Sequence, residues 1–209
     1  MKLYYAPGAC SLSPHIALCE AGIDADLVKV DTKTHRLENG GDYYVINAKG
    51  YVPTLELDDG QRLTEGPAIV QYIADRKPAS RLAPAAGTTE RYRLQEWLNF
   101  ITSEIHKQFS PLFAADTPDE YKSIAKQKIA KRFDWLAEQL VDRDYLMGSA
   151  FTVADGYLFV MLRWTRFTGI DLNRWPVLAA YHDRIAARPK VKAAMLAEGL
   201  IKAADKQAA

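Results

Sequence analysis

The segment Pro7–Pro14, with the sequence Pro-Gly-Ala-Cys-Ser-Leu-Ser-Pro, carries the residues best placed to do chemistry. It lies between a short apolar run, Leu3–Tyr5, and an amphipathic stretch. A cysteine at such a strand-to-helix turn meets unpaired backbone N–H groups and the positive end of the helix dipole. Both favour the thiolate over the thiol, and Ser11 and Ser13 add hydroxyl donors beside it. The same residues are equally compatible with Cys10 as a small loop residue and a serine as an ordinary N-cap.

Two other short segments place polar groups at the ends of predicted elements. Pro53 directly precedes a predicted strand, so it removes no hydrogen-bond donor from the strand interior, and an X–Pro bond such as Val52–Pro53 can be cis at a cost of about 0.5–1 kcal/mol. Glu65 and Gly66 open a predicted helix with Thr64 as its N-cap. There the Glu65 carboxylate could receive an ammonium group and the free N–H groups a carboxylate. Ordinary capping is the simpler alternative.

A polar stripe also runs along the long helix predicted from residue 88 to about 108. Asn99, Ser103, His106 and Lys107 recur there at helical spacing. Such a stripe is usually a solvated face, and a single histidine is more often structural than catalytic. Spacing alone therefore does not select His106 as a functional residue.

The composition excludes several classes of protein. The 209 residues include 27 Lys and Arg against 26 Asp and Glu, a net charge of +1, which gives no electrostatic reason to expect nucleic acid or an anionic membrane as partner. Two cysteines do not make a disulfide scaffold and suit a reducing compartment. The N-terminus lacks the apolar region of a signal peptide, and no run has the length of a membrane span. We expect a cytoplasmic protein.

The first eighty residues predict a small mixed sheet with two helices. Strands are expected at 2–5, 27–31, 54–57 and 62–64, and helices over 11–21 and from residue 64. The polar stretch 32–42 is predicted as loop, with a short helix over 42–48. Cys19 shares a helix face with Leu12 and Ile16, which indicates a small buried hydrophobe. The order β-α-β and then β-β-α is thioredoxin-like, and Cys10-Ser-Leu-Ser13 resembles the CxxS form of that fold's redox motif.

The rest of the chain predicts an all-α unit. Residues 81–87 are rich in Pro, Ala and Gly and are interpreted as a linker, which separates a domain over 1–80 from one over 88–209. Thr117 and Pro118 predict a helix start, and Thr152 with Asp155 predicts a capping box that opens a buried helix. Arg163 and Arg166 of that helix are expected to face the cleft between the domains.

Taken together, these features resemble the cytosolic glutathione transferases over essentially the whole chain. The resemblance rests on three combined signals: Tyr51-Val52-Pro53 before a strand, Thr64-Glu65-Gly66 at a helix start, and the capping box Thr152–Asp155. Two further segments, Pro7–Ser11 and Glu104–Lys107, are similar to the bacterial beta class, which has cysteine where other classes use Tyr or Ser. The resemblance implies a thioredoxin-like, glutathione-binding N-terminal domain followed by a helical C-terminal domain.

The resemblance also assigns roles to particular residues. Cys10 would contact the glutathione sulfur, and His106 would assist it as the second catalytic residue. Val52, before a cis Pro53, would pair its backbone with the cysteinyl part of glutathione. The other implied glutathione-binding residues are His35 at the glycyl carboxylate, Glu65 and Gly66 at the γ-glutamyl group, and Asn99, Ser103, Glu104, His106 and Lys107, some of them reaching the neighbouring subunit's site.

The implied activity is transfer of glutathione, as co-substrate, to xenobiotic or haloaromatic electrophiles by a homodimer that uses no metal. Ala9, Phe109, Phe113, Trp164 and Phe167 are the candidate residues of the electrophile site. Thiol-transferase or peroxidase side activity through Cys10 is chemically available. The alternatives are a glutaredoxin-like thiol-disulfide reductase and a non-catalytic ligand-binding protein on the same fold.

One departure from the class yields a prediction. Position 35 commonly carries Lys, whereas this chain has His35 with Arg36 beside it. Because an unperturbed histidine is mostly neutral at pH 7, we expect glutathione binding to be weaker or more pH-dependent than with Lys at this position, unless Arg36 or Lys33 takes over. Calorimetric titration from pH 6 to 8 measures this. An unchanged affinity across that range, together with an unaffected His35→Ala variant, would contradict it.

Overall fold

The computed structural model describes residues 1–202 and shows a five-stranded mixed sheet in its first part. The strands are β1 Lys2–Tyr5, β2 Asp26–Asp31, β3 Arg36–Leu37, β4 Thr54–Glu56 and β5 Arg62–Thr64. Their order is β3-β2-β1-β4-β5, with β1 and β2 parallel and the other pairs antiparallel. Leu3 pairs with Leu27 on one side and Leu55 on the other, so β1 is the central strand.

Eight α-helices complete the described chain: α1 Leu12–Ala21, α2 Gly66–Arg76, α3 Thr89–Phe100, α4 Lys107–Phe113, α5 Asp119–Gln139, α6 Val153–Thr168, α7 Pro176–Ala186 and α8 Pro189–Ala197. The predicted combination of a thioredoxin-like unit and a helical unit is confirmed. Within residues 1–202, no helix combines the length and hydropathy that a membrane crossing requires. The sequence missed β3, because a two-residue exposed edge strand shows no apolar alternation.

Helix α1 joins the two parts of the molecule. Leu12 and Ile16 are fully buried, and the helix packs against α2 on one side and against α6 and α8 on another. Gly22 ends the helix at φ 65°, a left-handed conformation that glycine adopts without steric cost. Cys19 packs against the hydrophobic core as a small hydrophobe, but it is only partly buried and not fully buried as predicted.

The long helix predicted over 88–108 is instead three segments. Between α3 and α4 the chain forms a π-helical turn over Ile101–His106, where the Lys107 N–H bonds to the Thr102 carbonyl five residues back. A π turn inserts one residue into the helical repeat and so changes which side chains share a face. It ends at His106, the residue that spacing alone could not select.

Three local predictions were wrong, two of them by a single residue in the position of a helix start. Thr64 is the last residue of β5 and not an N-cap, since Glu65 precedes the first residue of α2. Pro118 has an extended backbone, with ψ 143°, so α5 begins one residue later at Asp119. Arg163 does not face the cleft: it is buried and its Nη1 lies 3.5 Å from Met195 Sδ, while Arg166 is exposed.

The capping box of α6 is confirmed and forms the polar centre of the helical part. The Asp155 carboxylate is fully buried and accepts hydrogen bonds from Thr152 N at 2.7 Å and Leu146 N at 2.8 Å. It also accepts from the Thr152 hydroxyl at 2.8 Å and the Tyr181 hydroxyl at 2.7 Å. Burial raises the pKa of this carboxyl, while its four donors act in the opposite direction. One side chain thus fixes the start of α6, a loop and α7.

Replacing Asp155 with asparagine is expected to destabilise the protein by about 2–4 kcal/mol, because the amide turns a donor toward groups that are themselves donors. Urea denaturation measures the loss. Asp119→Asn is the matched control: its side chain is fully exposed, and we expect a change within about 0.5 kcal/mol. Equal stabilities of the two variants would contradict the role given to Asp155.

Candidate active site

The Cys10 turn is held in shape by its own backbone and by Ser11. The buried Ser11 hydroxyl lies 3.1 Å from Ala6 N and 3.2 Å from Ala6 O, so it closes the turn and does not serve Cys10. Gly8 has φ +70°, a left-handed conformation that favours glycine. Ser13 is buried, and its hydroxyl has no hydrogen-bond partner among residues 1–202. The Ser11 hydroxyl therefore stabilises the turn, and neither serine donates a hydrogen bond to the Cys10 sulfur.

Cys10 points across the cleft to Val52. Its Sγ lies 3.2 Å from the Val52 carbonyl oxygen, so the thiol donates to that carbonyl. The Val52–Pro53 bond is cis, and both residues are buried. The backbone of Val52 is also the group predicted to pair with the cysteinyl part of glutathione.

The expectation of a thiolate at Cys10 was wrong for the free protein. Although the residue keeps some exposed surface, burial of the thiol raises its pKa to about 12. The N–H groups of Cys10 and Ser11 act in the opposite direction, as the helix terminus predicts, but they are the weaker effect. The negative charge of Glu65 adds to the increase. At neutral pH the residue is therefore a hydrogen-bond donor.

Glu65 stands before α2 in a strained conformation. Its φ of 68° is unusual for a residue other than glycine, and its carbonyl accepts from Ala68 N and Ile69 N, both at 3.0 Å. The exposed carboxylate pairs with Lys49 Nζ, which also bonds to the Thr64 hydroxyl at 3.0 Å. In the free protein, the Lys49 ammonium group thus already pairs with the Glu65 carboxylate.

His35 reaches the same region from the loop after β2. Its Nδ1 lies 3.1 Å from the Gly50 carbonyl, and its ring lies 4.6 Å from the Tyr44 ring. Because a carbonyl only accepts, Nδ1 carries the proton in the neutral ring, and Nε2 is then an acceptor. His35 can therefore donate to a carboxylate only when it is protonated. Arg36 turns away, with Nη1 3.2 Å from the Gly40 carbonyl.

His106 lies in an aromatic pocket with Tyr157. The Tyr157 hydroxyl is 2.6 Å from His106 Nδ1, and the Trp164 ring lies 5.0 Å from the imidazole. Burial, followed by the charge of Lys107, lowers the pKa of His106 to about 4, so the ring is neutral at pH 7. Burial also raises the pKa of Tyr157, which keeps its proton and donates it to Nδ1. That leaves Nε2–H as the donor of the neutral ring.

The remaining predicted residues of this helical segment lie at its surface. Asn99, Ser103 and Lys107 are exposed, and the Ser103 hydroxyl donates to the Asn99 carbonyl at 3.0 Å. The Glu104 carboxylate pairs with Arg132 of α5, 2.6 Å from its Nη2. No contact in the single chain joins these four side chains to Cys10, and their role at a neighbouring subunit stays a prediction.

An aromatic wall stands beside the turn. Trp164 donates through Nε1 to the Gly8 carbonyl at 2.9 Å, and Phe113 packs edge-on against it at 5.2 Å. Phe109 is fully buried behind them and backs the wall without lining it. Phe167 is 68% exposed. Of the predicted aromatic set, Trp164 is buried against the turn, and Phe113, which packs against it, is exposed.

Three residues of this region were not predicted from the sequence. Lys49 covers Glu65, Tyr157 orients His106, and Glu198 accepts from Gly8 N at 2.8 Å. Tyr157 alone carried a signal, since a tyrosine within an apolar helix requires a partner for its hydroxyl. The other two are joined to the site only by the fold.

The state of Cys10 gives a testable expectation. In a Cys19→Ser protein Cys10 is the only thiol, and iodoacetamide should alkylate it at pH 7.5 at least about tenfold more slowly than in the same chain unfolded in urea. The reason is the raised pKa, which keeps the proton on the folded thiol as the pH passes the unfolded value near 9. The native rate should therefore still be rising between pH 9 and 10. Equal native and unfolded rates would contradict this.

The comparisons with known proteins agree with this geometry. Residues 8–76 match the family model "Glutathione S-transferase, N-terminal domain", and residues 100–189 match "Glutathione S-transferase, C-terminal domain". The chain is 48% identical to glutathione S-transferase GstA of Escherichia coli O157:H7 over 96% of this chain and 100% of the relative.

Two solved structures are similar along nearly the whole chain. A sphingomonad glutathione S-transferase complexed with glutathione has 52% identity and a TM-score of 0.93, and covers 96% of this chain and 100% of its own. The bacterial beta-class enzyme of Sphingomonas chungbukensis has 52% identity and a TM-score of 0.94, with the same coverage. The chain belongs to the glutathione S-transferase family, and within it to the bacterial beta class.

Proposed function

We propose that the protein transfers reduced glutathione to small electrophiles, GSH + R–X → GS–R + HX. The observation that carries this proposal is the Cys10 sulfur, 3.2 Å from the Val52 carbonyl oxygen at the N-terminus of α1, where burial raises the pKa of the thiol to about 12. A thiol in that place can donate a hydrogen bond to the glutathione thiolate and so lower the pKa of the cofactor's thiol. The site then holds the ionised sulfur beside the acceptor.

Glutathione binding in this proposal uses groups that line the cleft. The backbone of Val52, held by Pro53, pairs with the cysteinyl residue. Glu65 receives the γ-glutamyl ammonium in place of Lys49, and the Gly66 N–H receives the carboxylate. His35, when protonated, holds the glycyl carboxylate. The relative whose structure is described as complexed with glutathione supports this ligand.

His106 assists as a neutral donor. Since Tyr157 fixes Nδ1 as the acceptor, Nε2–H is available to the sulfur region without bringing a charge into the buried pocket. Lys107 adds a positive charge at the edge. The scheme uses no metal ion.

The protein is further proposed to be a cytoplasmic homodimer. In the dimer, the exposed Asn99, Ser103 and Lys107 and the partly buried Glu104 face the neighbouring subunit's glutathione. The two cysteines are free, in keeping with a reducing compartment. The exposed ring of Phe113, which packs against Trp164, suits xenobiotic or haloaromatic electrophiles, which stack against such rings.

The raised pKa of Cys10 also distinguishes between the two candidate activities, disulfide reduction and glutathione transfer. A glutaredoxin-like reductase needs the Cys10 thiolate as nucleophile, whereas a transferase needs the thiol as donor. Disulfide exchange through Cys10 is therefore a side activity in this proposal. A non-catalytic carrier would bind ligand without either reaction.

Substitution of Cys10 tests the assignment. In Cys10→Ala, conjugation of glutathione to an activated aryl halide should persist within about tenfold, since the lost donor contributes about 1.4 kcal/mol or less. Reduction of a small mixed disulfide by glutathione should fall to the background rate. Steady-state assays of both reactions measure this, with Cys19→Ser as the matched cysteine control.

Loss of conjugation together with exchange would instead assign the reductase activity. Exchange that is unaffected in Cys10→Ala would contradict the assignment of the side activity to Cys10. A wild-type protein that binds immobilised glutathione but catalyses neither reaction would assign the carrier role.

A further inference from the structure

Lys49 reaches from the loop before Val52 to the residues that precede α2. Its Nζ donates to the Thr64 hydroxyl at 3.0 Å and pairs with the Glu65 carboxylate. Its backbone N–H donates to Asn47 Oδ1 at 3.1 Å, and Asn47 is buried. The lysine therefore stands on an anchored loop, with its ammonium group held at Glu65.

The backbone of Glu65 is fixed, and its carboxylate is open to solvent. The residue has φ 68°, and its carbonyl accepts from two N–H groups of α2 at 3.0 Å. Its side chain is 69% exposed, and a Cβ added at Gly66 would meet nothing within 4 Å beyond its chain neighbours, so free space lies in front of α2. Among residues 1–202, Lys49 is the only cation paired with this carboxylate. A ligand that enters here therefore meets a carboxylate that already has a partner.

The charge of Glu65 also acts on the cysteine side of the cleft. After burial, it is a further cause of the raised pKa of Cys10 and of Tyr157. It acts in the opposite direction on His106, whose pKa is lowered by burial and by Lys107. These groups lie on different elements, so the Glu65 carboxylate belongs to the same cleft as the cysteine.

We propose that Lys49 is a specificity-determining residue that competes with the γ-glutamyl ammonium group of the ligand for the Glu65 carboxylate. This inference rests on the proposed function, since it concerns the same subsite. The ligand's ammonium group either displaces Lys49 from Oε1 or takes Oε2 beside it, and in both cases the two positive charges oppose each other. Binding of that group therefore gains only the difference between its own pair and the pair with Lys49.

The competition determines how strongly the site distinguishes one thiol from another. A γ-glutamyl thiol with a free α-amino group gives up the pair between Lys49 and Glu65 when it binds, whereas a thiol without that group leaves the pair intact. The protein should therefore discriminate weakly between the two thiols, and the discrimination should increase once the charge of Lys49 is removed. Because solvent-exposed ion pairs are weak, we expect an increase of about two- to fivefold.

Two ligands and one substitution test the proposal. Glutathione is compared with glutaryl-cysteinylglycine, which has hydrogen in place of the α-amino group and keeps every other group. Calorimetry at pH 7 gives the two dissociation constants, and the ratio of analogue to glutathione measures the contribution of the ammonium group alone. In Lys49→Met, which keeps an unbranched side chain and removes its charge, the ratio should rise about two- to fivefold above the wild-type value. A ratio that is unchanged or lower would overturn the proposal.

Two further variants show whether the charge at this place is the cause. Lys49→Arg keeps a cation, so its ratio should stay at or below the wild-type value. A rise equal to that in Lys49→Met would overturn the proposal, because the loss of the lysine's shape would then explain it. Lys192→Met is the matched control, since Lys192 is an exposed residue of α8 with no ion pair among the described residues. Its ratio should equal that of the wild type, and a rise there would overturn the proposal in favour of an effect of net charge.

The same measurements separate this inference from the function on which it rests. A wild-type protein that binds neither ligand would overturn the proposed function and the competition together. A wild-type protein that binds glutathione, with one ratio common to all four proteins, would overturn the competition alone.

Discussion

Burial of charge is the constraint on which the site depends. The helix terminus at Cys10 supplies donors and a favourable dipole, but these effects amount to a partial charge at a partly solvated end. Removing a thiolate from water costs more, so Cys10 keeps its proton and donates to Val52. The same constraint keeps His106 neutral and Tyr157 protonated. The site therefore meets its ligand with hydrogen-bond donors already in place.

The charged groups of the site lie at its edge, where hydration lowers the free-energy cost of carrying a charge. Glu65 and Lys49 pair at the surface, and Lys107 is exposed beyond the partly buried imidazole of His106. This separation gives a neutral interior that can stabilise one new negative charge and a charged rim that can hold a zwitterionic ligand. A pair exposed to solvent is also weak enough to be exchanged for a ligand's own ammonium group.

Much of the fold could be read from local signals, and the misses have physical reasons. The capping box at Thr152 and Asp155 is a short-range hydrogen-bond pattern, so the sequence located it to the residue. The π turn over Ile101–His106 has no such short-range pattern in the sequence.

The chemical state of the site was the least predictable part. The local sequence shows the donors near Cys10 but not the amount of protein that excludes water from the sulfur. That quantity depends on segments far along the chain. Lys49 and Glu198 escaped notice for the same reason, since their partners are distant in sequence.

The two contacts at Gly8 also bear on how this architecture can be recombined. The amide of Gly8 is bound by Glu198 and its carbonyl by Trp164, so both peptide groups of one turn residue are satisfied by the helical part of the chain. The turn that carries the cysteine is thus supported from within the thioredoxin-like unit by Ser11 and from outside it at Gly8. A chimera that joins this unit to the helices of a relative keeps the two contacts at Gly8 only if the relative supplies an indole and a carboxylate at the same two places.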